Sequence, residues 1–361
     1  MGNKENEEFS KLVESVRFKT YDKKHSFYDE TLGRIYKLLP KVDKKLVREA
    51  SSFCSLGIDP NRAVEEADWQ PVKQVIRKGG DVSINPIGIP IPPADEDEYK
   101  DLWERRVDCL MKQIKLCEEL ELFPEHDDDG KPVSYQYFDN DFCERIFGML
   151  LSEEKDTVRR TAVPYPRLLF ALGFMLIELN NADEAEKVLA EAVGWNLTDT
   201  ETLFEYSEAQ KRRGDFDGFL ETTKRAWMVS YTAESVARCF RNFAFYFAEK
   251  KEWQKAYACL CLSTSYVNDE EKISGELQYI QENAKGRLQD VTDEMLESYS
   301  DEIPLGANPD VIELLQGYCE ELYGTYANRE CLEYMQHLYD LTEDAEVKKR
   351  MKEIKSGKHK K

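Results

Sequence analysis

The sequence predicts an all-α fold, an α-solenoid of stacked helix-turn-helix repeats preceded by an N-terminal helical region and an extended segment rich in proline and isoleucine. Three observations predict it. One pattern of large, small and turn residues recurs between Pro166 and Ser263 at steps of 34 and 37. Elsewhere, apolar residues recur at spacings of three and four, the period of one helix face. A hydrophobic content of 41% beside 34% charged residues suits amphipathic helices in water. The repeat is anchored on the turn dipeptides Asn180-Asn181, Gly214-Asp215 and Lys251-Glu252. Eleven residues before each turn stands a large apolar residue (Leu169, Leu203, Phe240), and seven before it a small one (Gly173, Ser207, Ala244). Twelve after it stands another small one (Ala192, Ala226, Ser263). A fixed period of about 34 residues made of two helices marks a stacked array.

In chain order, residues 1–78 read as an N-terminal helical region. Phe9, Leu12, Val13 and Val16 share a face, as do Phe27, Leu32, Ile35 and Leu38, and Leu39-Pro40 stops the second helix. Asp43 is placed to cap a stretch carrying Leu46, Ala50, Phe53 and Cys54, which Gly57 ends. Asp59-Pro60 has the cap-then-proline order of a helix start. Residues 79–97 form the extended segment. Lys78-Gly79-Gly80 breaks the helical pattern, and four prolines between Val82 and Pro93 remove donors and fix dihedrals, so no helix forms there. Five Ile and Val residues in that stretch leave two readings, a linker or an arm docked on a helical surface.

Residues 98–361 form the repeat domain, opened by a long amphipathic helix from Asp95 to Leu122. The acidic turn Glu125 to Gly130 has Asp127, Asp129 and Gly130 in register with a calcium loop. Glu125 and Gln136 stand at its first and twelfth positions, however, and Gln136 cannot chelate in bidentate fashion, so an exposed turn is expected. After the repeats, helices are expected near 271–286, 308–324, 327–340 and 343–356, ending in a basic tail that frays.

The net charge is −21, with residues 1–60 locally basic at 12 Lys and Arg against 10 Asp and Glu. Such a surface repels nucleic acid and anionic lipid, which argues against both as partners. Nine cysteines are scattered without a CxxC pair, and four histidines are isolated, so no zinc spacing arises. No metal or other cofactor is expected. The thiols are expected to be reduced and buried as small hydrophobes. The residues from Met1 to Glu8 lack a secretory pattern, and the most apolar run, Leu168 to Ile177, spans ten residues, half of the ~20 a membrane helix needs. A cytoplasmic protein is therefore expected.

Residues 166–199 resemble a tetratricopeptide repeat. Leu169, Leu172, Gly173 and Leu176 stand where that family has Trp, Leu, Gly and Tyr, and Ala185, Leu189 and Ala192 stand at its second-helix Ala, Phe and Ala. The second copy, from Thr200 to Ala233, keeps Leu203, Tyr206, Ser207, Gly214, Asp215 and Ala226 but has Gln210, Phe219 and Thr223 where Tyr, Ala and Phe are usual. The third, from Ala237 to Glu270, keeps Phe240, Phe243, Ala244, Phe247, Trp253, Ala256 and Leu260. A degenerate fourth is read from Ile312 to Asp344, through Leu315, Cys319, Leu322, Cys331, Met335 and Leu338. The family's proline near each repeat end is replaced by Leu197, Tyr231 and Asn268.

In that family the first helix of each repeat lines a concave groove. By position the groove would show Arg167, Phe170, Phe174 and Ile177, then Phe204, Glu208 and Lys211, then Arg238, Arg241, Asn242 and Phe245. Arg238, Arg241 and Asn242 resemble part of a clamp for a peptide's terminal carboxylate, and the clamp's earlier members are replaced here by Phe and Glu. The resemblance thus implies a non-catalytic scaffold that binds a protein or peptide segment, with its oligomeric state left open. Two other readings stand beside it. One is a ligand-sensing regulator whose residues 1–78 bind a target. The other is an enzyme seated in the N-terminal region, although no phosphate loop, HExxH or nucleophile elbow occurs.

Overall fold

The computed structural model describes residues 2–17, 25–62, 83–84, 90–91, 96–127, 129–152, 158–268, 270–325 and 327–357. Among them are sixteen α-helices and four strands of two or three residues. The fold is all-α, built among the described residues of helical hairpins. The chain divides into two compact units. Unit 1 comprises Met1–Asp139 and Ser152–Leu197, and unit 2 comprises Asn140–Leu151 and Thr198–Lys361.

Unit 1 opens with α1 (Gly2–Arg17), α2 (His25–Leu38) and α3 (Lys44–Ser51). Phe9, Val13 and Ile35 are buried among them, as the helical spacing predicts, and on α3 Val47 is buried where Leu46 was expected, Leu46 being half-buried. Asp43 caps α3 through the Lys45 amide at 2.8 Å, and Asp59 caps the turn at 60–62 through the Asn61 amide at 2.8 Å. Gly57 is required where it stands: its φ is 74°, and a Cβ there would lie 2.3 Å from the Leu32 carbonyl oxygen. Phe53 departs from its expected burial. It is 40% exposed, with the Arg17 guanidinium 4.6 Å from its ring centroid.

Of the proline-rich segment, Ser83–Ile84 (β1) and Pro90–Ile91 (β2) pair as an antiparallel ladder. Ile87 and Ile89, which distinguish a linker from a docked arm, lie outside the described residues. The long helix α4 (Glu96–Glu119) packs along α6 (Tyr165–Glu178), which forms a hairpin with α7 (Ala182–Trp195). A short parallel ladder, Ser134–Gln136 (β3) with Val158–Arg160 (β4), had no periodic signal in the sequence. It is tied to the end of α7, where the Tyr137 amide donates to the Trp195 carbonyl at 2.9 Å.

Unit 2 contains α5 (Asp141–Ile146) and its following π-helical turn Phe147–Leu151. The hairpins α8 (Thr200–Arg213) with α9 (Phe216–Val229) and α10 (Ala233–Glu249) with α11 (Trp253–Tyr266) come next. They are followed by α12 (Glu270–Ala284), the short α13 (Asp293–Ser298), α14 (Pro309–Leu322), α15 (Asn328–Thr342) and α16 (Ala345–Lys355). The expected fourth copy is present as the α14–α15 hairpin, with Leu315, Cys319, Cys331, Met335 and Leu338 buried.

The turns fix the register of the repeat. Asn180, Gly214 and Lys251 all take left-handed backbone, with φ of 57°, 76° and 63°. At each turn the next amide reaches back five residues. Asn181 donates to the Leu176 carbonyl, Asp215 to Gln210 and Glu252 to Phe247, at 2.8, 2.9 and 2.8 Å. This is the Schellman closure, which satisfies a carbonyl that the helix end would otherwise orphan. Asn181 and Asp215 then cap the second helices through their side chains. All nine positions of the pattern are buried, from Leu169 at 3% exposed to Ser263 at 0%.

A lysine in left-handed backbone carries a steric cost that glycine does not. Lys251→Gly is therefore expected to raise stability by about 0.5–1 kcal/mol, the part left after glycine's greater unfolded-state entropy. Asn180→Gly should gain less, because asparagine tolerates that region. Urea denaturation of both variants reads the difference, and equal gains would contradict it.

Candidate functional site

The expected groove residues do not form one surface. In unit 1 Phe170 and Ile177 are 0% and 2% exposed. Phe174 is 9% exposed and packs against Trp103 of α4 with ring centroids 6.4 Å apart. Arg167 is taken by Asp139, with 2.7 Å between Nη2 and Oδ1. Phe170 and Phe174 are therefore core residues and not groove walls, a correction whose cause at Phe174 is α4. The sequence shows α4 as an amphipathic helix but does not say which apolar face it covers.

Unit 2 keeps the remainder together, apart from one residue. Asn242, expected beside Arg238 and Arg241, is 6% exposed. Its amide nitrogen donates to the Ser207 and Thr223 hydroxyls at 3.3 and 3.4 Å, so it ties hairpin to hairpin and does not face a ligand. Phe204, Glu208, Lys211, Arg238, Arg241 and Phe245 are half-buried on α8 and α10. The Lys211 ammonium stands 4.4 Å from the Phe245 ring centroid and 3.4 Å from the Glu208 carboxylate. The Arg238 guanidinium lies 5.9 Å from the Phe204 ring centroid, and its Nε is buried without an acceptor. A buried donor left unmade costs roughly 1–3 kcal/mol, so this nitrogen is primed for an incoming oxygen.

Helix α12, expected from the sequence as a helix near 271–286 but not as part of the groove, adjoins the face. Lys285 takes φ of 54°, 34 residues after Lys251, so α12 fills the first-helix place of a further repeat. The repeat was hidden because Ser274 stands where the large residue belongs and Gln278 and Glu297 where the small ones do, and the second helix is cut to the six residues of α13. Between α10 and α12 runs a cleft of about 440 Å³, walled by Ala244, Phe245, Ala248, Gly275, Tyr279 and Ile280. Glu249 and Glu276 stand at its edge.

Although Glu276 is exposed on α12, partial desolvation of its carboxyl pushes it above its ordinary value, against the downward pull of Arg241, Arg238 and Lys211. The folded chain therefore holds this proton more tightly than the unfolded chain. The group's contribution to stability is complete below the ordinary glutamate value and is lost as pH rises through the raised one. Glu276→Gln should flatten the pH dependence of the melting temperature across that window, and an unchanged slope would show that Glu276 does not titrate there.

The larger cavity of unit 1, about 720 Å³, is lined by Lys45, Arg48, Arg159 and Arg160 among others. Acids meet two of these cations, with Arg159 3.7 Å from Asp127 and Arg48 3.4 Å from Glu121. The Asp127 carboxylate is engaged in its own turn, accepting from the amides of Lys131 and Asp129 at 2.9 and 3.0 Å. Among the described residues no group of three or more His, Cys, Asp or Glu is placed to hold a metal ion. Seven of the nine cysteines are buried, and burial raises Cys117 and Cys239 each to about 12, so these thiols stay protonated. No helix among the described residues is long and apolar enough to cross a membrane.

No protein-family model matches the chain, and no curated protein sequence does. Among solved structures, the crystal structure of the APC/C hetero-tetramer Cut9-Hcn1 is similar over 96% of this chain and 72% of its own, at 9% identity and a TM-score of 0.24.

Proposed function

We propose that this protein is a non-catalytic interaction scaffold whose unit 2 binds a peptide segment of a protein partner along α8, α10 and α12. The observation that carries the reading is the Arg238 Nε, buried without an acceptor on a half-buried face that also holds Arg241, Lys211, Phe204 and Phe245. Guanidinium groups beside aromatic walls are the composition of binding hot spots. A net charge of −21 opposes nucleic acid, so a local basic spot serves a carboxylate-bearing protein segment better than a polyanion.

Affinity capture from the native cell extract supplies the partner, and calorimetry then compares variants. Arg238→Ala with Arg241→Ala should weaken binding tenfold or more, since contacts to charged groups are worth roughly 1.5–3 kcal/mol each. The melting temperature should stay close to that of the parent, because both side chains are half-buried at the face. Unchanged affinity would move the site elsewhere.

A further inference from the structure

Charge is sharply segregated along the later part of unit 2. Residues 290–344 hold fifteen Asp and Glu against one arginine, and residues 345–361 then hold eight Lys and Arg against two Glu. Within the basic stretch, α16 buries Val347, Met351 and Ile354, while Lys348, Lys349, Lys352 and Lys355 are exposed. A shallow groove of about 490 Å³ runs over this face, lined by Ala345, Lys348, Lys349, Lys352, Glu353 and Ser356. The acids of the helix are already engaged. Glu346 meets Lys349 at 3.1 Å, and Glu353 accepts from the Tyr323 hydroxyl at 2.8 Å. Lys348 donates to the Tyr339 hydroxyl at 2.8 Å, and Arg350 is held by Glu320. Among the described residues no hydrogen bond or ion pair engages the Lys352 or Lys355 ammonium.

Helix stability does not account for this row of lysines. The helix dipole favours Lys352 and Lys355 in the last turn, but Lys348 and Lys349 stand toward the other end, where it does not. Like charges three and four apart on a helix repel, as Lys349 and Lys348 do with Lys352. We infer that the lysine face of α16 docks a short acidic segment of a partner protein, independently of the α8–α10–α12 face. The face is short, since the eleven residues of the helix span about 16 Å. A nucleic acid would overrun it and meet α14 and α15, which hold seven Asp and Glu and one arginine. Helix α16 offers no aromatic ring for a base to stack on, and its one guanidinium is taken by Glu320. It offers a lipid bilayer no apolar face either, since Val347, Met351 and Ile354 are buried. Lysine ammoniums are point charges on flexible stems and take carboxylates without a fixed geometry. Exposed pairs of this kind are individually weak, so several act together and the binding falls with salt.

The probe is a fluorescent peptide, capped at both ends, carrying four glutamates spaced by glycine and serine. Its counterpart carries glutamines in their place. Fluorescence anisotropy measures each against the full chain and its variants, with circular dichroism confirming the fold. The glutamate peptide should bind at least tenfold tighter than its counterpart at low salt, and that preference should shrink as salt rises. Lys352→Gln with Lys355→Gln should weaken its binding at least fivefold. Lys112→Gln with Lys115→Gln, at two exposed lysines of α4, removes the same charge and should leave the affinity unchanged. Arg238→Ala with Arg241→Ala should also leave it unchanged, which separates this face from the proposed groove.

Equal losses in the two lysine pairs would mean attraction to overall charge and would overturn the inference, as would a glutamate peptide that binds no better than its counterpart. Tighter binding of a DNA duplex, or of phosphatidylcholine vesicles containing phosphatidylserine, than of the glutamate peptide would overturn it in favour of that partner. Loss confined to Arg238→Ala with Arg241→Ala would move the acidic peptide to the α8–α10–α12 face, overturning the lysine face and leaving the peptide-binding reading intact.

Discussion

Phe142→Ala is expected to destabilise unit 2 by about 3–5 kcal/mol, the range for truncating a fully buried phenylalanine. Phe142 is 0% exposed, and its ring sits 5.1, 5.4 and 5.5 Å from the rings of Tyr231, Tyr318 and Tyr334. Tyr318 and Tyr334 themselves meet edge to face at 4.9 Å. Removing the phenylalanine opens a cavity that these rigid rings cannot collapse to fill. One turn on, Arg145 grips Glu321 with both guanidinium nitrogens at 2.6 and 2.7 Å. That pair is partly exposed and contributes far less, so Arg145→Ala serves as the control. Denaturant titration followed by near-ultraviolet dichroism reads the tyrosine cluster directly. A loss below 1 kcal/mol for Phe142→Ala would mean that α5 does not anchor unit 2.

The second large effect belongs to Gly173. Spacing alone marks it as a small position, with an expected cost of roughly 1–3 kcal/mol for a leucine there or at Ala185. The structure supplies the reason at Gly173. A Cβ on that residue would lie 2.4 Å from Leu189 Cγ and within 3.0 Å of both its methyl carbons. Leu189 is 0% exposed and has no room to withdraw. Gly173→Leu should therefore reach the top of that range, about 3 kcal/mol. Gly173→Ala should cost less, because the gain in helix propensity of about 1 kcal/mol offsets part of the clash. Gly317→Ala in α14, where the added carbon meets nothing within 4 Å, should instead stabilise. Urea midpoints of the three variants rank them, and a stable Gly173→Leu would overturn the packing of α6 on α7.

The repeat was legible because its signals are local and periodic. Turn residues with left-handed backbone, small residues at helix contacts and large ones eleven before the turn all recur at fixed steps. The helices after the array were legible for the same reason. Much of the candidate site was not. Whether Phe174 lines a groove or fills a core depends on α4, whose docking is a long-range choice that no local spacing encodes. Asn242 looked like a ligand-facing amide, yet its position also suits a bond to Ser207 across to α8, and burial selected that bond. The cleft escaped notice because Ser274, Gln278 and Glu297 break the large and small positions of the pattern around the turn after α12. Sequence pattern found the arginines, and only tertiary packing found the cleft at Phe245.

The placement of Asn140–Leu151 in unit 2, between two stretches that belong to unit 1, has a consequence for synthesis on the ribosome. Phe142 emerges long before Tyr318 and Tyr334, which lie 176 and 192 residues downstream. At about 5–20 residues per second, the nascent chain carries this unmatched apolar hook for roughly 10–40 seconds. Unit 1 has by then received its last residue, Leu197, and can close with the hook outside it. Cutting the gene at residue 198 would leave the hook on the first fragment and its tyrosine socket on the second. Each fragment would then carry one half of an unsatisfied apolar contact, and co-expression should rescue solubility that separate expression loses.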